Sequence, residues 1–171
     1  IFNSELSVAG DGSCFIAGPA LGAPMAVMTM EKLIALGAST IILFGLCGSV
    51  SKTLKVGDIV IPDSALSGEG TSHYYIQDEK IAPSLRVNKR LESLLKSQGV
   101  DYKNGCVWST DAIFREDRRL LKRLRSENNV SAVDMEFSAL CSVAMFRGIQ
   151  FAAVLVVSDE LWGESWKPGF S

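Results

Sequence analysis

Histidine is nearly missing from this 171-residue sequence, His73 being the only one. Cysteine is sparse as well: Cys14, Cys47, Cys106 and Cys141 lie far apart and form no CxxC pair. Together these scarcities exclude a zinc site built from spaced cysteine and histidine pairs. They point instead to reduced, mostly buried thiols in a cytoplasmic protein. Positive charge is not in excess either, since 17 Lys and Arg stand against 19 Asp and Glu, a formal net charge of -2. The basic residues are interspersed with acids, so nucleic acid is not an expected partner. No apolar run approaches the roughly 18 to 20 residues of a membrane span, and the first residues lack the basic-then-apolar order of a signal peptide. A membrane is therefore not expected as a partner. Repeats and low-complexity tracts are missing too.

What is present is a chain 47% hydrophobic and 21% charged, enough for one compact domain with a sizeable core. Strand-like and helix-like segments alternate along it, which predicts an α/β fold. Glu5 to Ala9 and Cys14 to Ala17 flank "GDGS", whose Asp-Gly pair signals a hairpin. A helix is expected from Ala26 to about Leu36, with Val27, Met30, Leu33 and Ile34 on one face and Gly37 at its end. Thr40 to Phe44 reads as a buried strand running into the turn-like "GLCGS", and "VGDIVIP" as a strand ending at Pro62. The polar "SGEGTSHYY" has the composition of a lid loop. Ser84 to Ser97 reads as a surface helix, Gly105 to Trp108 as a brief strand and Glu116 to Arg125 as a charged helix with a solvated basic face. Met135 to Phe146 is apolar almost all round, as a buried helix is, and Phe151 to Val157 is the most hydrophobic strand.

Three buried strands thus end in small or polar residues: Phe44 before Gly45 to Gly48, Trp108 before Ser109 to Asp111, and Val157 before Ser158 and Asp159. Ligands of open α/β sheets bind at the carboxyl ends of strands, so these ends are the expected site. Asp134 and Glu136 add two carboxylates at the start of the buried helix. Each residue also has a structural reading. Asp134 suits a helix N-cap, and Ser158 and Asp159 could cap whatever follows their strand. Trp108 and Met135 are ordinary core residue types. Glu136 is harder to explain structurally, because a carboxylate opening an all-apolar helix needs a partner or a ligand. Cys47 between glycines could be a nucleophile, but it would need a base, and His73 is the only histidine.

Read in order, "GPALGAPMAVMTMEKLIALGASTIILFGLCGSV", "KVGDIVIPDSAL", "GEGTSHYY", "WSTDAIF" and "VDMEFSALCSVAMFRGIQFAAVLVVSDE" resemble the nucleoside phosphorylase and nucleosidase superfamily over nearly the whole chain. The resemblance implies a three-layer α/β/α domain around a mixed, partly barrel-like sheet. It implies cleavage of an N-glycosidic bond, no metal or organic cofactor, phosphate as a possible co-substrate, and a homo-oligomer. Residue by residue, it implies that Glu136 receives the ribose hydroxyls, that Met135 packs on the sugar, and that Trp108 flanks the base. Cys47 and Gly48 match the turn beside the base, and Asp159, placed by Ser158, matches the acid that protonates the leaving purine. That role needs a carboxyl that holds a proton, which an apolar, water-poor strand end favours.

The departures from the family are also informative. Phosphorolytic members usually bring an arginine and a serine or threonine to the phosphate, where this chain has Leu43 and Leu46. The side chains of two leucines offer no hydrogen bonds to an anion, so of the two possible acceptors, phosphate and water, water is slightly preferred. The residues typical of uridine-specific members are not intact, since Asp117 replaces a glutamine although Arg119 persists. A purine nucleoside is therefore the expected substrate. The family's amino-terminal segment and its carboxyl-terminal helix are expected to lie outside residues 1–171. A nucleoside- or base-binding module without turnover is the alternative reading, and a thiol enzyme built on Cys47 a third.

Overall fold

The computed structural model describes residues 5–10, 12, 14–77 and 80–169. β1 (Glu5–Ala9) and β2 (Cys14–Gly18) pair as an antiparallel hairpin, as the sequence between them predicts. Asp11 and Ser13, between the two strands in sequence, lie outside the described residues. α1 (Ala23–Ala35) begins earlier than the apolar spacing indicates. Pro24 sits in its first turn, where a fixed φ helps and the missing N–H is not needed. Gly22 before it has φ 83°, the left-handed region that glycine adopts without strain.

The remaining strands are β3 (Thr40–Ser49), β4 (Ile59–Gly68), β5 (Lys103–Thr110), β6 (Val130–Asp134), β7 (Gln150–Glu160) and β8 (Lys167–Pro168). Their order is β3-β6-β5-β4-β7-β8, and β3 also pairs with β7. Strands β3 to β7 therefore close on themselves as a five-stranded barrel with β8 appended to β7, the mixed, partly barrel-like sheet expected. β3 runs parallel to β7, and β4 and β6 run parallel to β5, whereas β3–β6 and β4–β7 are antiparallel. Around the sheet, α1 and α4 (Phe137–Arg147) contact each other, α2 (Leu85–Ser97) lies against β4 and β7, and α3 (Arg118–Asn128) lies against β6.

Two expectations change here. "GLCGS" is not a turn: β3 continues through it to Ser49, and its register to β7 shifts at Cys47/Gly48, where Ser158 of β7 is the extra, unpaired residue. Likewise β4 does not stop at Pro62 but runs on to Gly68, with a register shift between Pro62 and Ser64. Proline lacks the N–H of a regular ladder, and a bulge accommodates it while bending the strand. Both irregularities curl strands that would otherwise be too straight to close a barrel.

The main core gathers Met30, Val60, Val107, Phe137, Leu140, Phe151 and Leu155 among others, with the Phe137 and Phe151 rings 5.9 Å apart. Each such side chain contributes about 1.5–3 kcal/mol when fully buried. A second cluster, beneath α3, holds Val50, Trp108, Leu121, Leu124, Val130 and Val133. Gly68 packs directly on it: a Cβ there would lie 2.1 Å from Trp108 Nε1 and 2.9 Å from the Ser109 carbonyl oxygen. Gly68→Ala is therefore expected to destabilise the protein by about 1–3 kcal/mol, as overpacking does. A urea-unfolding midpoint equal to that of the wild type would contradict this close packing.

Candidate active site

Closing the barrel brings the ends of β3, β6 and β7 and the start of α4 to one cleft of about 1700 Å³. Cys47, Gly48, Asp134, Met135, Glu136, Ser158 and Asp159 all line it, as do Leu43 and Leu46. Trp108 does not line it. Side chains alternate along β5, so Val107 faces the main core while Trp108 faces the cluster under α3. The aromatic groups that do line the cleft include Phe114, which is 94% exposed, and Trp166.

The start of α4 is held by buried acids and hydroxyls. Asp134 Oδ2 accepts hydrogen bonds from Phe137 N at 2.7 Å and Glu136 N at 3.2 Å, so from the end of β6 it satisfies the first N–H groups of the helix, although the N-cap position itself is Glu136. Its Oδ1 accepts from Ser109 Oγ at 2.6 Å, and that hydroxyl in turn accepts from Ser138 N at 2.8 Å. Burial pushes the Asp134 carboxyl up to about 7 against the pull of these donors, with the Glu136 charge adding to the rise. Glu136 Oε1 accepts from Gly22 N at 2.6 Å, which ties the start of α1 to that of α4. Burial also raises Glu136 above the usual carboxylate range, opposed by the N–H groups of Gly22 and Met135.

The "SGEGTSHYY" segment is not a free lid. Glu69 is buried and accepts hydrogen bonds from Ser67 Oγ (2.7 Å), Thr71 N (2.6 Å), Ser72 N (3.1 Å), Ser138 Oγ (2.9 Å) and Ser72 Oγ. Burial opposes its charge, but these donors outweigh burial and hold the carboxyl below its usual range. The Ser138 hydroxyl anchors the segment to α4. His73 lies exposed in the short 3-10 turn Ser72–Tyr74, its ring 4.0 Å from that of Tyr74, and it does not line the cleft.

Asp159 does not follow its strand; it lies within β7, opposite Gly48 of β3 and Pro168 of β8. Its Oδ1 accepts from Ser158 Oγ and its Oδ2 from Trp166 Nε1, both at 2.7 Å. Ser158 Oγ also lies 3.3 Å from the Cys47 carbonyl oxygen. A Cβ on Gly48 would sit 3.4 Å from Asp159 Oδ2 and 2.7 Å from a Leu161 methyl, so glycine lets β3 approach here. Cys47 is a poor nucleophile, because burial first, and then the charges of Asp134 and Asp159, hold its thiol far above the range in which thiolate forms. Asp117 is the N-cap of α3, its carboxylate accepting from Arg119 N and Leu120 N, and neither Asp117 nor Arg119 reaches the cleft.

The sequence reading missed Glu116, which lines the cleft beside Asp159. Burial and the Asp159 charge push its carboxyl up to about 7. Its place in a charged stretch hid it. Among the described residues, no Lys, Arg or His lines the cleft, and no cluster of three or more His, Cys, Asp or Glu is arranged to hold a metal ion.

The closed mixed sheet with helices around it defines an α/β protein with a barrel-like sheet. Residues 3–168 match the phosphorylase superfamily, and the chain belongs to that family. A DeoD-type purine nucleoside phosphorylase from Clostridium novyi is 30% identical over 149 residues, covering 85% of this chain and 64% of the relative. The structure of an AMP nucleosidase from Bacteroides thetaiotaomicron superimposes with a TM-score of 0.78 at 30% identity, covering 84% of this chain and 64% of that one. A purine nucleoside phosphorylase from Toxoplasma gondii, solved in complex with immucillin-H, gives a TM-score of 0.84 at 25% identity, covering 98% and 69%. The chain thus spans about 64% of the length of the curated relative from Clostridium novyi.

Asp134 links the site to stability. Its ordinary pKa of 3.8 rises to about 7 in the folded chain. Between those values the native state holds more protons than the unfolded chain, so stability falls as pH rises from about 4 to about 7. Each unit of displacement corresponds to about 1.4 kcal/mol. Asp134→Asn, which retains a capping oxygen, is expected to flatten that fall. Urea midpoints measured across this range for both proteins check it, and parallel curves would refute the assignment.

Proposed function

We propose that this chain cleaves the N-glycosidic bond of a purine nucleoside or related compound, with water preferred to phosphate as acceptor. One observation carries the reading: the carboxylate opening α4 and the carboxylate of β7 line the same cleft, as do Met135 and Gly48. Breaking a C–N glycosidic bond leaves an oxocarbenium-like sugar and drives electrons onto the base. Glu136 at the helix start is suited to accept hydrogen bonds from the ribose hydroxyls, because Oε1 is already oriented by Gly22 N. Asp159, held by Ser158 and Trp166, is suited to act on the leaving base.

The preference for water is supported by the lining itself. Leu43 and Leu46 occupy the positions where phosphate side chains are expected, and no described cationic side chain accompanies them. A phosphate dianion is recognised by charge-assisted hydrogen bonds, and an acidic, leucine-lined wall repels it. The same lack of cations also suits a binding module, which turnover would exclude.

Incubation with inosine, adenosine, guanosine and methylthioadenosine, with and without phosphate, is expected to release free base and free sugar without phosphate. Base release only with phosphate would overturn the choice of water, and binding without any release would favour the binding module. Asp159→Asn is expected to lower kcat by at least about 100-fold, the usual scale of an acid's contribution, without shifting the thermal midpoint. Unchanged activity in that variant would refute the role of Asp159.

A further inference from the structure

Asp159 sits in β7 next to Ser158, the residue at which the register to β3 shifts, and β8 is clasped to this point. Gly169 N donates to the Ser158 carbonyl oxygen at 2.8 Å, Pro168 pairs with Asp159, and Lys167 Nζ lies 3.0 Å from Glu160 Oε1. A Cβ on Gly169 would lie 2.6 Å from the Ser158 oxygen and 2.1 Å from a Val56 methyl, so glycine permits this approach. The clasp delivers Trp166, whose ring lines the cleft and is 56% exposed, and whose Nε1 donates to Asp159 Oδ2 at 2.7 Å. A hydrogen bond open to water adds little to a fold, but this one distinguishes the two oxygens of a carboxyl. An indole N–H donates and never accepts, so it favours the acid in which Oδ2 is the carbonyl oxygen and Oδ1 bears the proton. Oδ1 lies 2.7 Å from Ser158 Oγ, which is itself 3.3 Å from the Cys47 carbonyl oxygen. The serine hydroxyl can therefore turn to Cys47 while Oδ1 is protonated, and back to Oδ1 once the proton has gone.

We propose that Trp166 is the positioning residue of the acid: its N–H holds Oδ2, places the transferable proton on Oδ1 and meets the charge left behind. The proposal rests on the cleavage reading above. As the C–N bond breaks, its electron pair passes to the base, and a ring nitrogen of the base takes the Oδ1 proton as a new N–H. Asp159 is left as a carboxylate that accepts from Trp166 at Oδ2 and from Ser158 at Oδ1. The sugar carbon bonds to the oxygen of water, and the proton that water releases returns to Asp159. Hydrogen bonds to an ionised carboxylate are roughly twice as strong as neutral ones, so both donors favour the transition state over the bound substrate.

The test uses the full chain with inosine or adenosine, whichever the wild type cleaves, and with the 7-methyl derivative of the same nucleoside. The 7-methyl base already carries a positive charge and leaves without being protonated. Trp166→Phe keeps an aromatic ring in the cleft and removes the N–H. It is expected to lower kcat on the natural nucleoside by about 10-fold with KM within about 2-fold, and to change kcat on the 7-methyl derivative by less than about 2-fold. A merely structural ring would move both substrates together. In parallel, the indole N–H proton resonance of Trp166 in nitrogen-labelled protein is expected to move upfield in Asp159→Ala, while that of Trp108 stays in place. Equal losses on the two substrates, a loss confined to KM, or a Trp166 resonance indifferent to Asp159→Ala would each overturn the assignment. A wild type that cleaves neither nucleoside would overturn the cleavage reading itself, whereas an active wild type matched in rate by Trp166→Phe overturns only the role of Trp166.

Discussion

Residues Phe137 to Ala144 of α4 are all buried, so the N–H groups that open this helix cannot turn to water. They are satisfied by protein oxygens: Asp134 caps Phe137 and Glu136, and Ser109 receives Ser138. An unmade hydrogen bond in such a place costs about 1–3 kcal/mol, so the geometry is tightly constrained. Two strands and a loop meet through this network, since Ser109 is the penultimate residue of β5, Asp134 ends β6, and Glu69 follows β4 and reaches Ser138. The direction of Glu136 into the cleft depends on it.

Barrel closure is the second constraint. β3 must pair with β7 along its length and with β6 at Gly48 and Ser49, and that demands local bending. The register shift at Cys47/Gly48 supplies it, and it sets Gly48 opposite Asp159. The irregularity that closes the sheet therefore also builds the wall of the site, as bulges beside functional sites commonly do.

The cleft that results is acidic without a balancing cation among its described lining residues. Burial adds to that imbalance, so Asp134 and Glu116 are each pushed up to about 7, while Glu69, surrounded by five donors, moves the other way. Carboxyls of one chemical type thus shift in opposite directions because burial outweighs the donors at Asp134 and the donors outweigh burial at Glu69. That division is what general acid chemistry near neutral pH requires.

Much of this was legible in the residues. Periodicity located the four α-helices among the described residues to within a few residues, the Asp-Gly pair marked the hairpin, and the apolar runs before Cys47 and Ser158 pointed to neighbouring segments of one cleft wall, whereas Ser109, after the third run, does not line that cleft. These signals are local, because side-chain spacing and turn chemistry act over a few neighbours. Whether a residue faces the cleft or the second core was not local. Trp108 and Ser109 are adjacent, yet the pleat sends one under α3 and the other to Asp134. Glu116 sat in a charged stretch that reads as solvated surface, and only the fold sets it beside Asp159. The "GEGTS" segment looked like a loose lid because nothing in its composition reveals that Ser138, 69 residues further on, anchors Glu69. The sequence by itself determined the elements and the chemical types at their ends. The tertiary structure alone decided which of those groups share a cleft and which hold protons, because burial and electrostatic coupling depend on distances that only closure of the barrel creates.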